Sequence, residues 1–154
     1  MKENLQKILK ARVYEVAKET PLEKATILSK RFNNNIFLKR EDLQEVFSFK
    51  IRGAFNKMRN LSRDKLNKGV ITSSAGNHAQ GVALSALKLK SKATILMPIT
   101  TPLVKIKAVR ELQAEVILFG ENYDESYLEA LRLSEERELT FIHPFDDIDV
   151  IAGQ

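Results

Sequence analysis

Cysteine and tryptophan are absent from the 154 residues. Without a thiol the chain forms no disulfide, no cysteine-ligated zinc site and no thiol nucleophile, a composition that suits a reducing compartment. Long apolar runs are missing too. Stretches such as Ala93 to Met97 and Val116 to Phe119 fall far short of the ~20 residues that cross a bilayer, so no membrane span or membrane partner is expected. The opening Met1-Lys2-Glu3-Asn4-Leu5-Gln6-Lys7 has neither the apolar core of a secretory signal nor the Ser/Arg-rich, acid-poor look of a transit peptide, and the expected location is cytoplasmic. With 6 Gly and 4 Pro, collagen-like and low-complexity chains are excluded.

What is present is an ordinary globular composition, 44% hydrophobic and 29% charged. A chain of this size hides roughly two thirds of its unfolded surface, enough for a core without crosslinks or metal. The net charge of +5 is unevenly spread: up to Asn77 there are 17 basic against 8 acidic residues, and after it 8 against 12. A basic half can attract nucleic acid or a phosphorylated small molecule. No Lys/Arg run exceeds two residues, and Lys39-Arg40 runs straight into Glu41-Asp42. A stripe that tracks phosphates is therefore missing, and nucleic acid is not expected as a partner.

Apolar residues at Leu5, Ile8, Leu9, Val13, Val16 and Ala17 follow helical spacing and predict an amphipathic helix over the first eighteen residues, ending near Thr20-Pro21. Thr20-Pro21-Leu22-Glu23 fits a capping box that starts another helix, with a short extended segment as competitor. Ile36-Phe37-Leu38 reads as a strand after the turn-forming Asn33-Asn34-Asn35. From Phe47 onward helices expected over 48–61, 77–89, 103–112 and 124–137 alternate with short apolar runs at Gly69 to Ser73, Ala93 to Met97, Glu115 to Phe119 and Thr140 to His143. Those runs are unbroken, as in strands covered on both faces. The alternation predicts an α/β fold, an open parallel sheet with flanking helices. The closing Val150-Ile151-Ala152-Gly153-Gln154 shows no cap and nothing to pack it, and reads as a truncated chain.

Open parallel sheets bind ligands beyond the carboxyl ends of their strands, where loops enter helix N-termini suited to anions. Two loops qualify. In Phe47-Ser48-Phe49-Lys50-Ile51-Arg52-Gly53-Ala54, Ser48 is expected as N-cap, which places Lys50 in the opening turn. A cation at the positive end of a helix is disfavoured, so this amine should deprotonate more easily than a surface lysine, as Schiff-base chemistry requires. A solvated lysine is the ordinary alternative. In Thr72-Ser73-Ser74-Ala75-Gly76-Asn77-His78-Ala79-Gln80-Gly81, small residues let backbone N–H groups close on a carboxylate or phosphate. Alternatively, Asn77 simply caps the helix and Gly81 allows close packing. Gly76 and Gly81 have the spacing of a P-loop, but Val82-Ala83 stands where such a loop needs Lys and Ser/Thr. His78 with Ser73 or Ser74 lacks the elbow of a hydrolase triad. His143 is expected to end a strand, Asp146, Asp147 and Asp149 to form a solvated acidic turn, and no metal site is expected.

Together the loops are more specific than either alone. Ser48-Phe49-Lys50-Ile51-Arg52-Gly53-Ala54 resembles the S-F-K-x-R-G-A lysine motif of the fold-type II pyridoxal-phosphate enzymes of the serine/threonine dehydratase group, whose fold is tryptophan synthase beta-like. Ser74-Ala75-Gly76-Asn77-His78-Ala79-Gln80-Gly81 resembles the substrate loop of that group. The resemblance extends through Ala11-Arg12-Val13-Tyr14-Glu15, Thr20-Pro21-Leu22, Leu38-Lys39-Arg40-Glu41-Asp42, Met97-Pro98 and Val150 to Gln154, and within the group it is strongest to the biosynthetic threonine dehydratases of isoleucine synthesis. It implies that Lys50 carries the cofactor pyridoxal 5'-phosphate, yields it to L-threonine (or L-serine) and then acts as base at Cα. Phe49 would pack near the cofactor ring, and Asn77 would hydrogen-bond its 3-oxygen. Ser74, Ala75, Gly76, Asn77 and His78 would line the substrate carboxylate, and the products would be 2-oxobutanoate and ammonia.

The same resemblance implies a strand rather than a capping box over Leu22 to Ala25. It divides the chain into residues 1–51, part of a larger cofactor-anchoring domain; 52–144, a smaller substrate-loop domain; and 145–154, a return into the larger one. The family's glycine-rich phosphate loop and its residue facing the pyridine nitrogen lie beyond the A-G-Q segment, as does its isoleucine-sensing domain, so the fragment alone is expected to be inactive. A full-length enzyme is expected to be a homo-oligomer. A catabolic serine/threonine dehydratase or serine racemase is the runner-up within this chemistry, and a non-catalytic relic or interaction fragment the alternative outside it.

Overall fold

The computed structural model describes residues 2–154. Helix α1 (Lys2–Lys10) leads through a 3-10 turn at Val13–Glu15 to β1 (Leu22–Lys24), α2 (Thr26–Arg31) and β2 (Phe37–Lys39). β1 and β2 pair antiparallel as a separate two-stranded sheet, with Glu23 opposite Leu38. After a second 3-10 turn, α3 (Lys50–Arg59) and α4 (Arg63–Lys68) precede the alternating region: β3 (Val70–Ser73), α5 (Asn77–Leu89), β4 (Ala93–Met97), α6 (Leu103–Glu111), β5 (Glu115–Leu118), α7 (Tyr123–Glu136), β6 (Thr140–Phe141) and α8 (Ile148–Gly153). The last four strands form one sheet in the order β5-β4-β3-β6, every pair parallel.

Both faces of the central strands are covered because their side chains alternate between two helix layers. Val70, Ile95 and Met97 pack with Ala79, Val82, Ala83 and Ala86 of α5 and with Ala54 and Met58 of α3. Ile71 and Leu96 pack on the opposite face against Ala130 and Leu133 of α7. Full burial of side chains such as Ile71, Ile95 and Leu96 stabilises the fold by about 1.5–3 kcal/mol each. The small residues of α5 let it lie close to the sheet, so that its N-terminus stands at the carboxyl end of β3.

Several expectations are corrected. The first helix ends at Lys10, because the chain leaves the helical path to bury Val13 and Ala17 while Leu5, Ile8 and Leu9 stay exposed; Met1 lies outside the described residues. The expected helix over 48–61 starts at Lys50 and is followed by α4, which Ser62 caps by accepting from the Lys65 N–H at 3.3 Å. β5 is an edge strand with Glu115 and Leu118 exposed rather than a strand covered on both faces. The final apolar segment is capped and packed: Asp147 accepts from the N–H groups of Asp149 (2.8 Å) and Val150 (3.2 Å) to start α8, and Val150 and Ala152 are buried. Leu22–Lys24 is extended, in line with the strand preferred there over a capping box.

Candidate active site

Gly81 is where the two loops become one site. A Cβ built on it would lie 3.1 Å from the Lys50 carbonyl carbon and oxygen and 3.2 Å from the Ile51 nitrogen. Only a residue without a side chain lets the first turn of α3 touch α5 so closely, which is the packing role open to Gly81 from the sequence. The start of α3 is shaped by Ser48, whose Oγ accepts from the Lys50 N–H at 3.2 Å. Phe49, not Ser48, occupies the N-cap position, so Ser48 acts one residue upstream of its expected place.

The Lys50 amine is turned back over the carboxyl end of the sheet. Its Nζ donates to the Pro144 carbonyl at 2.7 Å and lies 5.4 Å from the centroid of the exposed Phe49 ring. Burial pushes the amine below its ordinary value. That is the direction expected from a lysine at a helix start, although the cause is lost hydration rather than the helix end.

The second loop begins as the β3 ladder ends. The Ser74 N–H still donates to the Leu96 carbonyl at 3.0 Å, and Ser74 Oγ accepts from the Gly76 N–H at 3.2 Å, which folds the turn on itself. Apart from its chain neighbours, no atom of the described residues stands within 4 Å of where a Gly76 Cβ would be, so the turn faces open space. Ala75 is half-buried. Asn77 is the first residue of α5 rather than its cap; its side chain is exposed and makes no capping bond. The first-turn amides of a helix have no acceptor within it, and these suit an anion.

His78 is buried, and its Nε2 lies 3.1 Å from the Ile142 carbonyl. Because a carbonyl only accepts, Nε2 carries the proton and Nδ1 is left a bare acceptor without a partner among the described residues. Burial above all, with the Lys50 and His143 charges adding to it, lowers the imidazole to about 4 despite the Ile142 hydrogen bond, so the ring is neutral at pH 7. The Ser73 hydroxyl, also buried, likewise has no partner among the described residues. Such orphaned groups cost roughly 1–3 kcal/mol each in a folded protein and point to polar business at this end of the sheet.

Sequence reasoning missed the segment that closes the site. Ile142 accepts from both Thr72 Oγ1 (2.8 Å) and His78, and Pro144 accepts from Lys50, yet the contribution is backbone oxygen, which leaves no signature in residue type. His143 lies beyond the strand end at Phe141; its Nδ1 accepts from the Phe145 (3.3 Å) and Asp146 (2.8 Å) N–H groups and shapes the turn. Asp147 and Asp149 flank Lys57 at 2.7 and 3.5 Å, so these carboxylates are used in packing α8 on α3. A concavity of about 470 Å³ at the opposite end of the sheet includes Thr94, Glu115 and Arg137. Its Glu115 is already paired with Arg137 (3.5 Å) and Thr94 (2.8 Å).

A desolvated amine, an open glycine turn and unpartnered polar atoms fit a carbonyl cofactor and an amino-acid carboxylate. Comparisons with known proteins agree. The chain is 60% identical over 153 residues to the biosynthetic L-threonine dehydratase IlvA of Burkholderia multivorans, covering 97% of this chain and 30% of that one. It is 56% identical over 150 residues to the threonine dehydratase of Nicotiana attenuata, covering 97% of this chain and 25% of the relative. It thus spans about a quarter to a third of these relatives' lengths. The processed form of threonine deaminase isoform 2 from Solanum lycopersicum superposes with a TM-score of 0.94 at 56% identity, over 98% of this chain and 42% of that one. Serine racemase from Dictyostelium discoideum superposes at 0.88 with 31% identity, over 97% and 49%. Residues 13–154 match the family described as pyridoxal-phosphate dependent enzyme, and the chain belongs to that family.

Proposed function

We propose that this chain is the lysine-bearing, carboxylate-gripping part of a pyridoxal-phosphate-dependent threonine ammonia-lyase of isoleucine biosynthesis. One observation carries the reading: the Lys50 amine, depressed by burial and held on the Pro144 carbonyl, stands at a helix start packed through Gly81 against the helix that follows the 74–78 turn. The higher identity to threonine dehydratases than to serine racemase favours threonine as substrate.

In this reading Lys50 holds the cofactor through its amine, Phe49 packs beside the ring, and Asn77 hydrogen-bonds the 3-oxygen. The bound cofactor supplies an electron sink for negative charge developing at the substrate's Cα. Ser74, Ala75, Gly76, Asn77 and His78 grip the substrate carboxylate, largely through backbone donors, and so fix which Cα bond faces Lys50. Lys50, free again as an amine, takes the Cα proton; burial lowers its basicity, the direction that favours the uncharged base. Loss of the β-hydroxyl and replacement of the amino nitrogen by water leave 2-oxobutanoate and ammonia. The separate β1–β2 sheet supports assigning residues 1–51 and 145–154 to a larger domain and 52–144 to a smaller one. Homo-oligomeric assembly and a cytoplasmic location complete the proposal.

The test is incubation of the chain with pyridoxal phosphate, borohydride reduction and mapping of the tagged peptide. Lys50 should carry the tag, and Lys50→Ala should abolish it. Indiscriminate tagging of surface lysines would show that the chain has no cofactor site of its own, and threonine deamination that survives Lys50→Ala in a completed chain would overturn the assignment.

A further inference from the structure

The 142–144 segment receives a side chain from each of the two loops, and this makes it a common anchor. The Ile142 carbonyl accepts from His78 Nε2 at 3.1 Å and from Thr72 Oγ1 at 2.8 Å, while its own N–H donates to Ile71 at 2.8 Å. Two residues on, the Pro144 carbonyl takes the Lys50 amine at 2.7 Å. His78 stands in the first turn of α5, directly after the glycine turn, and is buried. We propose that the His78 imidazole is a positioning residue: it latches the carboxylate-gripping turn to the end of β6, and thereby holds the Pro144 carbonyl where it receives the Lys50 amine. The proposal deepens the lyase reading and rests on it, because it assigns the side chain of His78 a task distinct from contact with the substrate carboxylate.

Three features support the latch. The Ile142 carbonyl fixes the imidazole in the tautomer with hydrogen on Nε2, so the ring is a donor with one fixed direction. The ring is neutral at working pH, so it adds no second positive charge beside Lys50. Thr72 shares the same acceptor, so the carbonyl is gripped from β3 and from α5 at once. With the Ile142 carbonyl held from two sides, the Pro144 carbonyl two residues on is a steadier rest for the amine whenever Lys50 is not covalently engaged.

The experiment needs no cofactor. Competitive acetylation of the full 154-residue chain across a pH series, read by mass spectrometry, reports the titration midpoint of Lys50 alone. His78→Leu should move that midpoint up toward the ordinary lysine value of ~10.4, since the water regained by the ammonium when the segment is freed outweighs the loss of the Pro144 carbonyl as its acceptor. His78→Gln, whose amide N–H can still reach the Ile142 carbonyl, should restore the wild-type midpoint. An unmoved midpoint in folded His78→Leu, or a Gln variant that behaves like Leu, would overturn the latch. Should His78→Leu fail to fold, His78→Phe keeps the volume of the ring without its donor and should shift the midpoint in the same direction; no shift there refutes the proposal equally. Borohydride tagging of the wild-type chain reports separately on cofactor attachment, so the failure of either idea is distinguishable from that of the other.

Discussion

Gly81 and Gly76 sit five residues apart and should respond to alanine in opposite ways. At Gly81 the added methyl would meet backbone atoms of Lys50 and Ile51 at 3.1–3.2 Å, and backbone in the first turn of a packed helix cannot step aside. Gly81→Ala should therefore cost roughly 1–3 kcal/mol of stability, read as a lower denaturant midpoint, and should reduce cofactor tagging at Lys50. At Gly76 no atom of the described residues beyond its chain neighbours lies within 4 Å of the new carbon, so Gly76→Ala should leave stability within about 0.5 kcal/mol. In a completed enzyme the same methyl should raise the KM for threonine, because it fills the space the carboxylate is proposed to enter. The sequence left Gly81 open to a packing role and Gly76 to an anion-binding turn, without deciding either. Which of them touches protein and which faces open space depends on where α3 lies, and no spacing rule encodes that.

At the scale of elements, the dock between α3 and α8 is built around another missing side chain. A Cβ on Gly153 would come within 2.6 Å of the Asn56 Cβ and 2.7 Å of the Arg52 carbonyl. Gly153→Ala should destabilise α8 by about 3 kcal/mol, seen as faster hydrogen exchange over 148–153. Asp147 secures the other end. Burial pushes its carboxyl up, but hydrogen bonds from Lys57, Val150 and Asp149 outweigh that and hold it below its ordinary value. The stability it contributes is thus present above the unfolded carboxylate value and lost as pH falls through the lower folded one. Asp147→Ala should cost about 1 kcal/mol and remove that acid dependence, both measurable by denaturant titration at several pH values. The sequence reading missed α2, α4 and α8 for one reason: each has six residues, fewer than two helical turns, so a 3.6-residue period cannot register. Ser62 and Asp147 cap α4 and α8; the sequence reading gave Ser62 no role and placed Asp147 in a solvated acidic turn.

For the molecule as a whole, His78 couples folding to pH. Its folded value is about 4 against an ordinary 6.5, so between those values the unfolded chain binds the extra proton and stability rises with pH. The contribution is fully present above 6.5, declines as pH falls toward 4, and amounts to roughly 3 kcal/mol for a shift of that size. Thermal melts between pH 7 and pH 4 should show this loss, and His78→Gln, which cannot titrate, should flatten the profile. A wild-type midpoint insensitive to pH in that window would show that the ring is hydrated after all. The alternation of strand and helix, and with it the parallel sheet, was legible because buried strands and amphipathic helices have different hydrophobic periods. The edge position of β5 was not, since an apolar run reads alike whether one neighbouring strand or two lies beside it.

Local chemistry was written in the chain: Ser48 to Ala54 and Ser74 to Gly81 announce a lysine at a helix start and an anion-ready turn through residue types that act on their immediate neighbours. Their convergence was decided by folding alone. Lys50 meets a carbonyl 94 residues away and His78 one 64 residues away. Every residue carries a carbonyl, so only the three-dimensional path of the backbone selects which one serves.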